Sequence, residues 1–104
     1  QAVQHRLVDM HIAARRAGAM ARRALAGCAN GSDRRAALVS AAKVTVVETG
    51  RFVGQSAVQL HGAMGMSEEL PISRYFKRLT VIEHELGDRD THLARFASEE
   101  RPAR

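Results

Sequence analysis

The chain has no tryptophan, one cysteine, two prolines and, with three phenylalanines and one tyrosine, few aromatic residues of any kind. A single cysteine, Cys28, cannot close an internal disulfide and fits a reducing compartment, so the expected location is cytoplasmic. No histidine lies near Cys28 in the sequence, and the thiol reads as packed or idle. Ala, Leu, Val and Met fill the apolar positions in place of aromatics, which favours closely packed helices over a β-sandwich. There is no apolar run of about 18 residues, so no membrane span is expected. No Gly-x-Ser-x-Gly or phosphate-loop motif occurs. The five histidines, at 5, 11, 61, 84 and 92, are never three or four apart, so no helix face is ready to take a metal and none is expected.

Hydrophobic residues make up 45% of the 104, too many for intrinsic disorder and enough for one small domain. The chain does not begin with Met and starts inside a helical pattern, so it reads as a piece of a longer protein. The net charge of +5 comes mainly from arginine pairs: Arg15-Arg16, Arg22-Arg23 and Arg34-Arg35. On helices such pairs form a solvated face or meet acids of a neighbouring subunit. No nucleic-acid-binding motif accompanies them, so no nucleic acid partner is expected.

The periodicity predicts an all-α fold, an antiparallel helical bundle of two long helices and two shorter ones. Val3, Leu7, Met10, Ala14, Ala17, Ala21 and Leu25 form one stripe over residues 1 to about 28, in which Gly18 leaves room for another helix to approach. Gly27, Asn30 and Gly31 end that helix. Ser32 or Asp33 is the expected cap of a second, which runs to about Gly62. Its apolar residues fall on two faces. One holds Leu38, Ala41, Thr45, Phe52, Ser56 and Gln59; the other holds Val39, Ala42, Val46, Val53, Ala57 and Leu60. Gly50 and Gly54, four apart, suit close packing. A turn over 63–70 precedes a third helix, about 71–85, opened by Pro71, with Ile72, Tyr75, Phe76, Leu79 and Ile82 inward. Gly87 reads as its stop. Asp88 or Asp90 caps a short fourth helix with Leu93, Ala94, Phe96 and Ala97 inward. The domain is placed at 1–97, with a charged tail over 98–104.

The most informative stretch is Gln59-Leu60-His61-Gly62-Ala63-Met64-Gly65-Met66, then Glu68-Glu69-Leu70-Pro71 and Arg74-Tyr75-Phe76-Lys77-Arg78. Glycines and a small residue break a long helix, and Pro71 opens the next. In this order the pattern resembles the acyl-CoA dehydrogenase family, whose C-terminal helical domain carries a Gln-x-x-Gly-Gly-x-Gly turn, an acidic pair, a Pro-led helix and a basic-aromatic cluster. Gln1 to Met10 is similar to the family segment entering the second helix of that domain. The resemblance covers nearly the whole chain. It implies most of a four-helix domain, with the first bundle helix missing.

The resemblance further implies FAD as cofactor, an acyl-CoA substrate, α,β-dehydrogenation of its thioester, a homo- or heterotetramer whose core these helices form, and a flavoprotein electron acceptor. It assigns the adenosine and pyrophosphate of FAD to Gln1, Gln59, Leu60, His61, Gly62 and Ala63, through the Gln side chains and the main chain of the turn. Ala63 stands where a second Gly is usual, tolerable where φ is negative. The family's catalytic Glu position falls on Leu86, which cannot accept a proton, and nearby Thr and Gln contacts to FAD fall on Asp88 and Asp90. Three readings stay open. The base comes from the missing helix; the chain is one subunit of a heteromeric enzyme, as in the small subunits of pimeloyl-CoA-type dehydrogenases that Tyr75 to Asp88 resembles; or Glu85 substitutes after a one-residue shift. The rival class is a non-catalytic assembly subunit, and a third is a stand-alone helical adaptor.

Overall fold

The computed structural model describes residues 1–63 and 70–100, with residues 63 and 70–73 as backbone only. Four helices follow in order: α1 Ala2–Ala29, α2 Arg35–Ala63, α3 Leu70–His84 and α4 Arg89–Glu99. Among the described residues there is no strand, and the fold is the all-α helical bundle expected. Most of the turn expected over 63–70, including Gly65 and the acidic pair Glu68-Glu69, lies outside the described residues.

Helix α2 is the hub, and every other helix packs on it. Helix α1 runs antiparallel to it. Arg6, near the start of α1, donates to the Gln59 side chain near the end of α2, while Gly27 at the far end of α1 packs on Leu38. Helices α3 and α4 lie one after the other along α2, also antiparallel. Phe76 and Leu79 cover Gly54 and Gly50, then Arg89 reaches Glu48, His92 reaches Ser40 and Glu100 reaches Arg34. At about 1.5 Å per residue α3 and α4 together span roughly 39 Å against roughly 43 Å for α2. The bundle is elongated, 57 × 27 × 24 Å.

The α1–α2 turn is a Schellman motif. Gly31 takes φ 67°, the Ser32 N–H donates to Gly27 O at 2.9 Å and the Gly31 N–H to Cys28 O at 3.4 Å, satisfying carbonyls that the helix leaves open. Helix α2 begins later than expected. Ser32 does not cap it directly: its hydroxyl accepts from the Arg34 N–H at 3.1 Å, closing a short turn ahead of the helix.

Several facing assignments are corrected. In α1 the buried positions are Ala17, Ala24 and Gly27, and Leu25 is 70% exposed. The expected stripe is rotated because close packing on α2 selects small side chains over large ones. The point of closest approach is Gly27, where a Cβ would come within 2.7 Å of Leu38 Cδ1, whereas Gly18 has only the Arg22 side chain near it. In α2 the residues turned to α3 and α4 include Ser40, Val47 and Gly54, a line of seven-residue spacing on neither expected face. The close packing expected at Gly50 and Gly54 is present: a Cβ would lie 3.3 Å from Leu79 at the first and 2.9 Å from the Phe76 ring at the second. In α3 Tyr75 is 71% exposed, because α2 covers only a narrow stripe of that helix; Ile72 falls outside the described side chains. In α4 the buried residue is His92, with Phe96 half-buried, while Leu93, Ala94 and Ala97 are exposed. The helix also takes in Ser98 and Glu99, which composition assigns to the tail. All the arginine pairs are exposed, and Arg34 meets an acid of its own chain, Glu100.

Four alanines, Ala17, Ala24, Ala37 and Ala42, make up most of the core, with Val47 and Leu60 completing it. Large apolar side chains such as Leu7, Ile12, Leu25, Val58 and Val81 stand outside it.

Candidate functional site

Two places collect the residues that sequence reasoning singled out. The first is the end of the bundle where α1 starts and α2 finishes. Gln1 is the N-cap residue of α1, without a side-chain cap bond. Gln59 is exposed, and its Oε1 accepts from Arg6 Nη1, which fixes the amide and ties the two helices together. Leu60 is buried, His61 is half-buried, and Gly62 is exposed, with no described residue near the position a Cβ would take. Gly62 and Ala63 belong to the last turn of α2. Ala63 is not among the positive-φ residues, the condition under which its methyl group is tolerated. Within a helix the N–H groups of Gly62 and Ala63 face the preceding turn, and a helix C-terminus carries partial negative charge. Among the described residues, what this end offers an anionic ligand is the Arg6 guanidinium, the Gln59 amide and space at Gly62.

The second place is the corner between α3 and α4. Leu86 has φ 56° and Gly87 φ 97°, so two successive residues are left-handed. Gly87 does this without penalty; a leucine does so only where its surroundings enforce it. The Leu86 side chain is 95% exposed and contributes nothing to the core. His92 Nε2 donates to Leu86 O at 2.8 Å, and Lys43 Nζ donates to Glu85 O at 2.7 Å and to Ile82 O. Glu85 itself is exposed and lies 3.6 Å from Arg78. Past the corner, Asp88 caps α4 by accepting from the Thr91 N–H at 2.9 Å. That main-chain bond, then the Thr91 side chain, holds the Asp88 carboxyl below its ordinary value. The Glu48 carboxylate raises the pKa of the Arg89 guanidinium, with Asp90 adding to it. Along α2 the two places are about 24 Å apart, from Gln59 to Lys43.

Of the clefts, one of about 180 Å³ lies between α2 and α3, lined by Val47, Gly50, Phe76 and Leu79 with the Arg51–Glu83 ion pair at its edge. A wider groove of about 550 Å³ runs past Cys28, Arg35 and Arg95. The first cleft touches the corner only at Ile82, and the second includes no residue of the two places above. Among the described residues no group of three or more His, Cys, Asp and Glu is placed to hold a metal ion, and no helix is long and apolar enough to cross a membrane.

A family model described as acyl-CoA dehydrogenase, C-terminal domain, matches residues 1–99. The chain belongs to that family. No curated protein and no solved structure matches it. The match to the acyl-CoA dehydrogenase domain takes in all four helices, so both the Gln59–Ala63 end and the Leu86 corner lie inside it. This acyl-CoA dehydrogenase domain also contains residues that sequence reasoning missed: Arg6, Ser40, Lys43 and His92. None has a sequence signal, because each has a partner more than 40 positions away. The one hint was Gly87 directly after a large apolar residue, which marks a left-handed corner but not what holds it.

Proposed function

We propose that this chain is the C-terminal helical part of an FAD-dependent acyl-CoA dehydrogenase, catalysing α,β-dehydrogenation of an acyl-CoA thioester within a tetramer. The observation that carries the reading, beyond family membership, is the Leu86 corner. A main-chain turn is held rigidly at the place where the family's base is expected, with its side chain left in the open. The Leu86 N–H makes no hydrogen bond among the described residues, and such a group suits a thioester carbonyl. When bound, FAD supplies the acceptor for the β-hydride while a carboxylate takes the α-proton.

The adenosine and pyrophosphate of FAD are proposed to lie against Gln1, Gln59, Leu60, His61, Gly62 and Ala63. The exposed amide of Gln59, the neighbouring Arg6 and the bare Gly62 support this. They suit contact by side chain and shape, with Leu60 and Ala63 limited to main-chain carbonyls, since their N–H groups face the preceding turn. The separation of this end from the Leu86 corner suits two different flavin sites, each shared with another protomer. Exposed Leu7, Ile12, Leu25 and Val58 over an alanine core suit burial by those protomers. A flavoprotein remains the proposed electron acceptor, and the cytoplasm the proposed compartment.

A second reading is a subunit that completes a partner's flavin site without supplying the base. Two observations favour it: Leu86 has no proton acceptor, and Glu85 faces Arg78. The test is flavin content and ferrocenium-coupled oxidation of acyl-CoA by the full-length protein, alone and co-expressed with proteins encoded beside it. Yellow protein that turns over alone supports a self-sufficient enzyme. Colour and turnover only on co-expression support the heteromeric reading. Absence of flavin in both arms sinks the proposal.

A further inference from the structure

The α3–α4 corner is pinned by two buried side chains, Ser40 and His92, and the half-buried Lys43, none of which the reading above uses. Ser40 is 0% exposed, on the face of α2 that meets α4. Its hydroxyl lies 3.0 Å from His92 Nδ1, and His92 Nε2 lies 2.8 Å from Leu86 O. A carbonyl oxygen only accepts, so Nε2 carries the hydrogen, and in the neutral ring Nδ1 then accepts from Ser40. One turn along α2, Lys43 reaches Glu85 O and Ile82 O.

These contacts bind the two peptide planes that flank the Leu86 Cα. Lys43 holds the plane of Glu85 O and His92 the plane of Leu86 O. No peptide bond is cis among the described residues. In a trans peptide the N–H points opposite the carbonyl of the same plane. Fixing Glu85 O therefore fixes the direction of the Leu86 N–H, and fixing both planes sets the left-handed φ of Leu86. An exposed helix end needs no such apparatus, since water can satisfy its carbonyls. Here side chains from α2 and α4 replace water at three carbonyls and force a leucine into a conformation it disfavours. Strain enforced in this way is a mark of a preset site. Gly87 shows how tight the clamp is: a Cβ there would lie 3.0 Å from His92 Nε2.

We infer that Ser40, His92 and Lys43 are positioning residues, which hold the Leu86 main chain so that its N–H is aimed at the thioester carbonyl of the acyl-CoA. The inference rests on the dehydrogenase reading and adds to it the residues that set the geometry.

The test uses the full-length flavoprotein, with any partner subunit it is isolated with. His92→Gln keeps a donor where Nε2 stands and loses the acceptor toward Ser40. His92→Asn keeps a group near Nδ1 and falls short of Leu86 O. Both are small polar amides at one buried position, so a merely structural role predicts similar losses of stability and an unchanged kcat per bound flavin. A positioning role predicts a split. His92→Asn lowers kcat about tenfold or more with flavin content retained, and His92→Gln recovers most of it. The carbonyl stretch of bound enoyl-CoA, read by infrared difference spectroscopy, moves to higher frequency in His92→Asn and stays near the wild-type value in His92→Gln. Where His92→Asn does not accumulate as folded protein, Ser40→Ala and Lys43→Met carry the test, each with a smaller loss of kcat and the same direction of carbonyl shift. Wild-type enzyme that turns over while these variants keep kcat per flavin and carbonyl frequency overturns this inference alone. A wild-type protein without flavin or acyl-CoA oxidation removes the dehydrogenase reading, and this inference with it.

Discussion

Gly54 of α2 and Phe76 of α3 meet so closely that a single methyl group would not fit between them: a Cβ on Gly54 would stand 2.9 Å from two carbons of the ring. Alanine raises helix propensity by about 1 kcal/mol over glycine, but overpacking costs about 1–3 kcal/mol. Gly54→Ala is expected to destabilise the protein by about 1 kcal/mol net and to speed amide exchange in α3. Gly50→Ala, whose Cβ would sit 3.3 Å from the flexible end of Leu79, is the control and should be near neutral. Urea midpoints of the two variants check the pair.

Leu86→Gly is expected to stabilise the fold. Glycine takes the left-handed conformation freely, removing a penalty of about 1–2 kcal/mol. Its greater freedom in the unfolded chain takes back roughly half of that. The exposed leucine side chain gives up no packing, so the net gain is about 0.5–1 kcal/mol. Leu86→Ala keeps the strain and should gain nothing. Thermal unfolding of both separates backbone strain from side-chain loss.

The Asp88 cap predicts a pH dependence. The Thr91 N–H and hydroxyl hold its carboxyl below the ordinary 3.8. In the interval between the folded and unfolded values the unfolded chain binds more protons, so stability rises with pH there. The contribution is complete above about 3.8 and is lost as pH falls through the lower value of the folded state. Asp88→Asn retains a capping oxygen and should flatten this part of the profile. Amide exchange of α4 against pH, in both proteins, is the measurement.

Gly62→Ala sets stability against flavin retention. Among the described residues nothing lies within 4 Å of the position its Cβ would take, so the bare protein should gain up to about 1 kcal/mol from helix propensity. With the flavin nucleotide against this end, the added methyl intrudes, and FAD should dissociate more readily from the full-length enzyme. Gln59→Ala, which removes a hydrogen-bonding amide, should weaken retention by about tenfold. Stability that rises in Gly62→Ala with flavin affinity untouched counts against the proposed placement.

Much of the fold was legible because punctuation residues act locally. Gly31 and Gly87 mark left-handed turns, and Asp88 caps α4 through a bond to a residue three positions on. The facing of the helices was less legible, because hydrophobic patterns follow large side chains. Here the interfaces are built on Ala17, Ala24, Gly27, Ser40 and Gly54, which score as neutral or polar although they permit the closest approach. The corner could be located from Gly87, but the Ser40–His92 pair spans 52 positions and leaves no local trace. The Gln59–Ala63 end stood out by its glycine, while the Arg6 bond that fixes Gln59 joins the two ends of a long helical pair.

An alanine interior with bulky residues outside inverts the usual map of tolerance to mutation. Enlarging Ala17 or Ala24 would push helices apart in any setting. Making Leu25 or Ile12 polar would cost the lone chain little and do harm only where another surface rests on them. A mutational scan scored once for monomer folding and once for the assembled protein would thus return two different lists, and their difference would outline whatever surface the bundle is shaped to meet.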